Sequence, residues 1–156
     1  MKKQQRSSHT HIILSQEARE EIHKDVYQRA HIEACGALLG IMDEEGNWCI
    51  EHAHPLANTA NSPVYFEFDP QELLTVEMSH PGRLIGVYHS HPTGYAQASS
   101  TDSDNMRRVN AEQGIPWAWL IVCGPFNQAQ ELANEKLLGY FHYEREGLQR
   151  LEIIFQ

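Results

Sequence analysis

Nowhere in this sequence does an apolar run approach the roughly 20 residues a helix needs to span a bilayer, so a membrane protein is not expected. A secretory leader is missing as well. The N-terminus, Met1 to Ser15, starts basic, but its apolar stretch is only Ile12, Ile13 and Leu14. Export is therefore not expected, and a cytoplasmic location is the default. Positive charge is scarce, with 12 Lys and Arg against 21 Asp and Glu and a formal net charge of −9. A phosphate backbone demands a basic stripe, so no nucleic-acid partner is expected. The basic pair Arg107-Arg108 is read as a solvated helix face. Cysteine is scarce too. Cys35, Cys49 and Cys123 are odd in number and far apart, which argues against a disulfide framework, a metal finger or a redox pair. Each is expected to be a small buried apolar side chain. Internal repeats and low-complexity linkers are absent. One domain over 10–156, behind a flexible tail of 1–9, accounts for the chain, and 41% apolar residues suffice for its core.

Histidine, by contrast, is abundant at 10 residues, and three pairs are spaced His-x-His: His9/His11, His52/His54 and His89/His91. The first pair lies at the edge of the tail and has no proline after it, so it is read as solvated. Thr10–Leu14 reads as a short strand, and Ser15 caps an amphipathic helix running to Ala30. Ala34–Met42 is short and nearly all apolar, as in a buried strand, and Trp48–His54 returns as its hairpin partner. Val64–Phe68 reads as a further strand, and Pro70 opens a helix to Ser79. Leu84–His91 is a strand, and Thr101–Gln113 is a helix ended by Gly114 and Pro116. Trp117–Cys123, Leu137–Tyr143 and Leu148–Phe155 supply the last strands. Strands and helices mix without regular alternation, so the class is α+β with a mixed or mostly antiparallel sheet.

The chemistry concentrates in Tyr88-His89-Ser90-His91-Pro92 and the later Ser99-Ser100-Thr101-Asp102. His89 and His91 stand two apart on a strand, so both rings leave the same face, with Cα atoms roughly 6–7 Å apart. Two imidazoles at that spacing can meet one ion, and Pro92 turns the chain so that Asp102 can return to the same point. Two neutral nitrogens and one carboxylate make a three-ligand site that leaves one tetrahedral position open. Zinc suits this set, while iron, cobalt and manganese remain open alternatives. Asp104 is a rival ligand to Asp102. Glu33 stands at the mouth of the buried run, where a carboxylate is costly without a task or a partner, and it is the candidate general base. Ser99 is placed to donate to an oxyanion, with Ser100 and Thr101 as alternatives and a plain helix cap as the blander role.

Glu33-x-Cys35-Gly36-x-Leu38-x-Gly40, followed by His89-x-His91-Pro92-x6-Ser99-x-x-Asp102, resembles the complete motif of the JAMM (MPN-plus) metalloproteases. Asn58 and the stretch Phe66-x-Phe68-Asp69-Pro70 resemble the family's middle region. The resemblance covers most of the chain and implies one MPN/JAB domain, a twisted mixed sheet flanked by helices, similar in outline to the cytidine deaminases. Carried over position by position, it implies one zinc per chain on His89, His91 and Asp102, Glu33 as base and Ser99 as oxyanion donor. Gln97-Ala98 departs from the proline many relatives carry there, which touches loop stiffness and not chemistry. The small size resembles the prokaryotic stand-alone members. The implied activity is deubiquitinase-like hydrolysis of an isopeptide or peptide bond at the C-terminal tail of a ubiquitin-like or sulfur-carrier protein. Conjugate removal and sulfur-carrier processing both remain open here, as does the oligomeric state. A small-amide metallohydrolase and a non-catalytic scaffold are the competing readings.

A second copy of the short motif provides a control. His52-Ala53-His54-Pro55 repeats His-x-His-Pro, and Ser62 follows at the matching offset, but Tyr65 stands where the aspartate is needed. This copy is read as structural. Other zinc chemistries lack their residues: there is no His-Glu-x-x-His, and no Pro-Cys-x-x-Cys of the nucleobase deaminases.

Overall fold

The computed structural model of the chain describes residues 10–127 and 131–156. The expected tail of 1–9, with His9, lies outside the described residues. His11, the other member of that pair, is partly covered and lies 3.6 Å from Glu152. Among the described residues eight strands form one mixed sheet: β1 (Ile12–Leu14), β2 (Cys35–Met42), β3 (Trp48–Leu56), β4 (Leu84–His91), β5 (Ala118–Cys123), β6 (Leu137–Tyr143), β7 (Gly147–Leu151) and β8 (Ile153–Phe155). Their order is β7-β6-β5-β4-β2-β3-β1-β8. The two edge strands, β7 and β8, are separated in sequence by Glu152 alone. The sheet therefore has to curl enough to bring the two edges together at Glu152, whose carbonyl accepts the Ile12 amide beside the β1–β8 ladder.

Three helices pack on the sheet: α1 (Gln16–Gln28), α2 (Pro70–Ser79) and α3 (Ser100–Met106). Ser15 caps α1 by accepting the Ala18 amide, and Asp69 caps α2 by accepting the Gln71 amide. The larger core lies on the α1 side, where Ile22, Val26, Leu38, Trp48, Tyr88 and Leu120 are almost fully buried. On the α3 side Val87, Met106, Trp119 and Ile121 form a second core, and Ala37, Leu39, Leu56 and Val76 seat α2. Full burial of a side chain the size of Leu or Ile contributes roughly 1.5–3 kcal/mol, so these clusters hold the layers together.

A buried polar network ties α1 to the sheet. Asp25 receives Arg29 through both carboxylate oxygens at 2.7 Å, and the Tyr88 hydroxyl donates to Asp25 at 2.7 Å. Arg29 also donates to the carbonyls of Leu56 and Cys35. A Cβ on Gly36 would overlap the Tyr88 ring, so this network requires glycine there.

Several expectations need correction. Val64–Phe68 is not a strand; it forms one isolated bridge, Asn58 to Phe68. Val64 and Tyr65 are 73% and 46% exposed, and Asn58 holds this stretch as a folded loop in place of a ladder. Leu148–Phe155 is two strands on opposite edges of the curled sheet, broken at Glu152. The helix expected over Thr101–Gln113 starts as α3 but widens into a π-helical stretch at Arg107–Glu112. There Asn110 bonds out of the helix to the carbonyls of Ile115 and Trp117. Cys35 and Cys123 are buried, but Cys49 is only half-buried, 3.8 Å from an Asp43 oxygen.

Candidate metal centre

β4 and β5 run parallel, with His89 opposite Ile121 and His91 opposite Cys123. A parallel pair needs a crossover, and here the connection contains α3. The crossover brings the first turn of α3 to the C-terminal end of β4, the end at which open α/β sheets bind ligands. Along β4, Val87 packs with the α3-side core and Tyr88 with the α1-side core. By strand alternation, His89 and His91 share the α3 side with Val87, and Ser90 shares the α1 side with Tyr88.

Ser99 is the N-cap of α3. Its Oγ accepts the Asp102 amide at 3.0 Å, and Asp102 Oδ2 accepts the Ser99 amide at 2.9 Å. This reciprocal box fixes the Asp102 carboxylate beside the histidines. Asp102 Oδ1 lies 3.1 Å from His89 Nε2, and Oδ2 lies 3.0 Å from His91 Nε2. Both histidines and Asp102 are buried. Asp104 is exposed, which removes it as a rival. Glu33 is 5% exposed, and one of its oxygens lies with nitrogens of His89 and His91 in a group spanning no more than 4.8 Å. The four residues singled out as ligands and base thus meet at one place.

This donor set fits a cation. His91 Nδ1 lies 2.8 Å from the Tyr95 carbonyl, which can only accept, so the proton sits on Nδ1 and Nε2 presents a lone pair when the ring is neutral. A lone pair facing a carboxylate at 3.0 Å needs either a proton or a metal ion between them. His89 is 1% exposed, yet neither of its ring nitrogens makes a hydrogen bond, despite the nearby Asp102 oxygen. A buried imidazole with no partner is costly, and a bound ion would satisfy it. Phe66 stacks on the His89 ring with centroids 4.4 Å apart and holds it in place.

The electrostatics separate the two carboxylates. Burial pushes Glu33 up to about 7, with His91 pulling the other way. Burial also acts to raise Asp102, but the close approach of the His89 and His91 rings outweighs it and holds that carboxyl well below the usual range. Burial lowers His89. For His91 burial is outweighed by the contacts to Asp102 and Tyr95, and the net shift is upward.

The second His-x-His pair does not converge on any such site. His52 and His54 are exposed, and His52 pairs with Glu21 at 3.0 Å. Sequence reasoning passed over three contributors to the first site. Tyr95 acts through its carbonyl, and the Tyr140 hydroxyl accepts the Ala98 amide at 3.1 Å just before Ser99. Ser90, to which the sequence analysis gave no role, is fully buried and bonded. A hydroxyl set between the two histidines, on the strand face it shares with Tyr88, was the available signal for it.

Residues 15–137 match the family described as prokaryotic homologs of the JAB domain. A desampylase of Pyrococcus furiosus is 32% identical over 100 residues, covering 62% of this chain. The chain spans 64% of that relative's length. A Desulfitobacterium hafniense protein solved in solution superposes with a TM-score of 0.69 at 26% identity, covering 93% of this chain and 92% of that one. A structure described as a JAMM metalloprotease-like zinc site in the proteasome and signalosome gives 0.51 at 16% identity, over 93% of this chain and 99% of the other, which shows a shared fold.

Proposed function

From the premise that the chain belongs to the prokaryotic homologs of the JAB domain, among the JAMM (MPN-plus) metalloproteases, we propose that it is a zinc-dependent isopeptidase or peptidase. The observation that carries this reading is the meeting of His89, His91, Asp102 and Glu33 in one buried cluster with an unpartnered imidazole. His89, His91 and Asp102 would hold one zinc per chain. That ion would supply Lewis acidity to the scissile carbonyl and acidify a water.

Glu33 takes the proton of the attacking water and returns it to the leaving amine. A carboxyl near 7 suits both directions of transfer, since acid–base catalysis works best with a pKa close to the working pH. Asp102, held far below that range, stays ionised and keeps its place beside the histidines. Ser99 Oγ spends its lone pair on the Asp102 amide and retains its own proton for the developing oxyanion. The cap and the oxyanion donor are therefore compatible roles of one hydroxyl.

The substrate in this reading is the C-terminal tail of a ubiquitin-like or sulfur-carrier protein, for which the desampylase relative is the support. A cytoplasmic setting is part of the same proposal. A non-catalytic scaffold would have no need of an intact buried set of ligands and base.

The test is Glu33→Gln, assayed on a linear ubiquitin-like fusion and on a short amide. Zinc content should stay near one per chain while turnover of the fusion falls by roughly 10²–10⁴, the range for losing a general base. Normal turnover in the Gln protein would remove Glu33 from the mechanism, and loss of zinc would make it a ligand. Cleavage of the short amide in preference to the fusion would overturn the substrate class.

A further inference from the structure

Glu33 lies in irregular chain between the end of α1 and the start of β2, where no ladder holds it. Among the described residues no donor bonds its carboxylate, so its placement depends on how the backbone on either side is held. The Glu33 amide donates to the Ser62 carbonyl at 2.8 Å, and its carbonyl accepts from Asn58 Nδ2 at 3.0 Å. The neighbouring residues are held from β4. Ser90 Oγ accepts the Ala34 amide at 2.8 Å, and the Ser90 amide donates to the Ala34 carbonyl at 2.8 Å. On the other side of Glu33, Ser90 Oγ donates to the Ile32 carbonyl at 3.4 Å. One hydroxyl thus brackets Glu33 from residues 32 and 34.

The place of Ser90 in the strand gives this arrangement its meaning. Ser90 is 0% exposed and stands between His89 and His91 on the opposite face of β4. Any displacement of the histidine pair carries Ser90 with it, and through Ser90 the segment bearing the base. An alanine or valine would fill the same buried space but leave the Ala34 amide without its acceptor.

We infer that Ser90 is a positioning residue: its hydroxyl clamps the 32–34 segment to the histidine strand and so sets the distance between Glu33 and the metal ligands. The inference rests on Glu33 being the base. Catalytic groups must be held within about 0.5 Å of productive geometry, so loosening this clamp acts on turnover more than on substrate binding.

The test is a double-mutant cycle with Ser90→Ala and Glu33→Gln on the zinc-loaded enzyme, supported by amide exchange. Ser90→Ala should keep zinc near one per chain, lower kcat by about 10–100-fold and leave KM within about twofold. In the Glu33→Gln background the same change should cost almost nothing further, because residues acting as a unit are not additive. Ser90→Thr, which restores a hydroxyl, should recover most of the lost turnover. In zinc-free protein the Ala34 amide should exchange at least about tenfold faster in Ser90→Ala than in the parent. If Ser90→Ala does not fold, Ser90→Cys keeps the volume with a much weaker acceptor and should show the same kcat-selective loss. Full additivity with Glu33→Gln, or an unchanged Ala34 exchange rate, would overturn the inference. An inert Glu33→Gln change would instead defeat the reading on which it rests.

Discussion

His52-Ala53-His54-Pro55 and His89-Ser90-His91-Pro92 are the same four-residue pattern on two strands of one sheet, and only the second builds a site. Their surroundings account for the difference. β4 is flanked along its histidine end by β2 on one side and β5 on the other, and α3 closes over it. β3 is flanked by β1 only at Trp48–Ile50, so its His52–His54 end has β2 alone beside it. The result is two buried rings on β4 and two exposed rings on β3. After Pro92 the chain returns to the strand end as a capped helix with Asp102 in its first turn. After Pro55 it leaves as the loop anchored by Asn58, and Tyr65 at the matching offset is 46% exposed. Spacing supplies a pair of imidazoles; burial and a returning carboxylate turn the pair into a metal site.

The comparison can be sharpened at the serines that follow each pair at the same offset. Ser99→Ala should slow turnover by about 10²–10³ with zinc retained, the usual cost of one oxyanion donor. It should also lower stability by about 1 kcal/mol through the lost cap. Ser62 contributes its backbone carbonyl to the Glu33 amide, which alanine preserves, so Ser62→Ala should leave turnover near that of the parent. Melting temperature and turnover on the same preparations check both. Equal losses at the two serines would erase the distinction between the copies.

A smaller effect should separate Glu33 from ordinary carboxylates in zinc-free protein. Its folded pKa of about 7 lies above its ordinary value of 4.5, because burial disfavours the charged form. The folded state therefore keeps a proton that the unfolded chain loses. Stability from the neutral acid is complete below about 4.5 and declines as the pH rises through about 7. Glu33→Gln cannot ionise, so zinc-free Glu33→Gln should match the parent at pH 4 and exceed it at pH 8 by on the order of 2 kcal/mol. Denaturant unfolding at the two pH values measures this. No difference at the higher pH would mean that Glu33 is solvated.

Much of this was legible in residue order. Leu84–His91, Pro70–Ser79 and Leu137–Tyr143 were readable to the residue because period, proline and turn signals agree there. That His89, His91 and Asp102 would come close was legible because offsets along a strand and into a helix cap are local geometry. Glu33, far upstream, was reached through the resemblance, and the roles of all of them remain proposals. What stayed hidden depends on partners far away in sequence. Val64–Phe68 has a strand's composition, but Asn58 claims its backbone. The break at Glu152 exists because the chain passes there from one edge of the sheet to the other, a property of all eight strands together. Ser90 drew no reading because its partners, Ile32 and Ala34, lie far away in sequence, just ahead of β2.

The most direct measurement is zinc content by elemental analysis in two paired variants, His52→Ala with His54→Ala and His89→Ala with His91→Ala. The account predicts about one zinc per chain in the first and close to none in the second, with both proteins folded by circular dichroism. Zinc lost from the His52/His54 variant and kept in the His89/His91 variant would contradict it, and would place the metal on the exposed pair instead of the buried one.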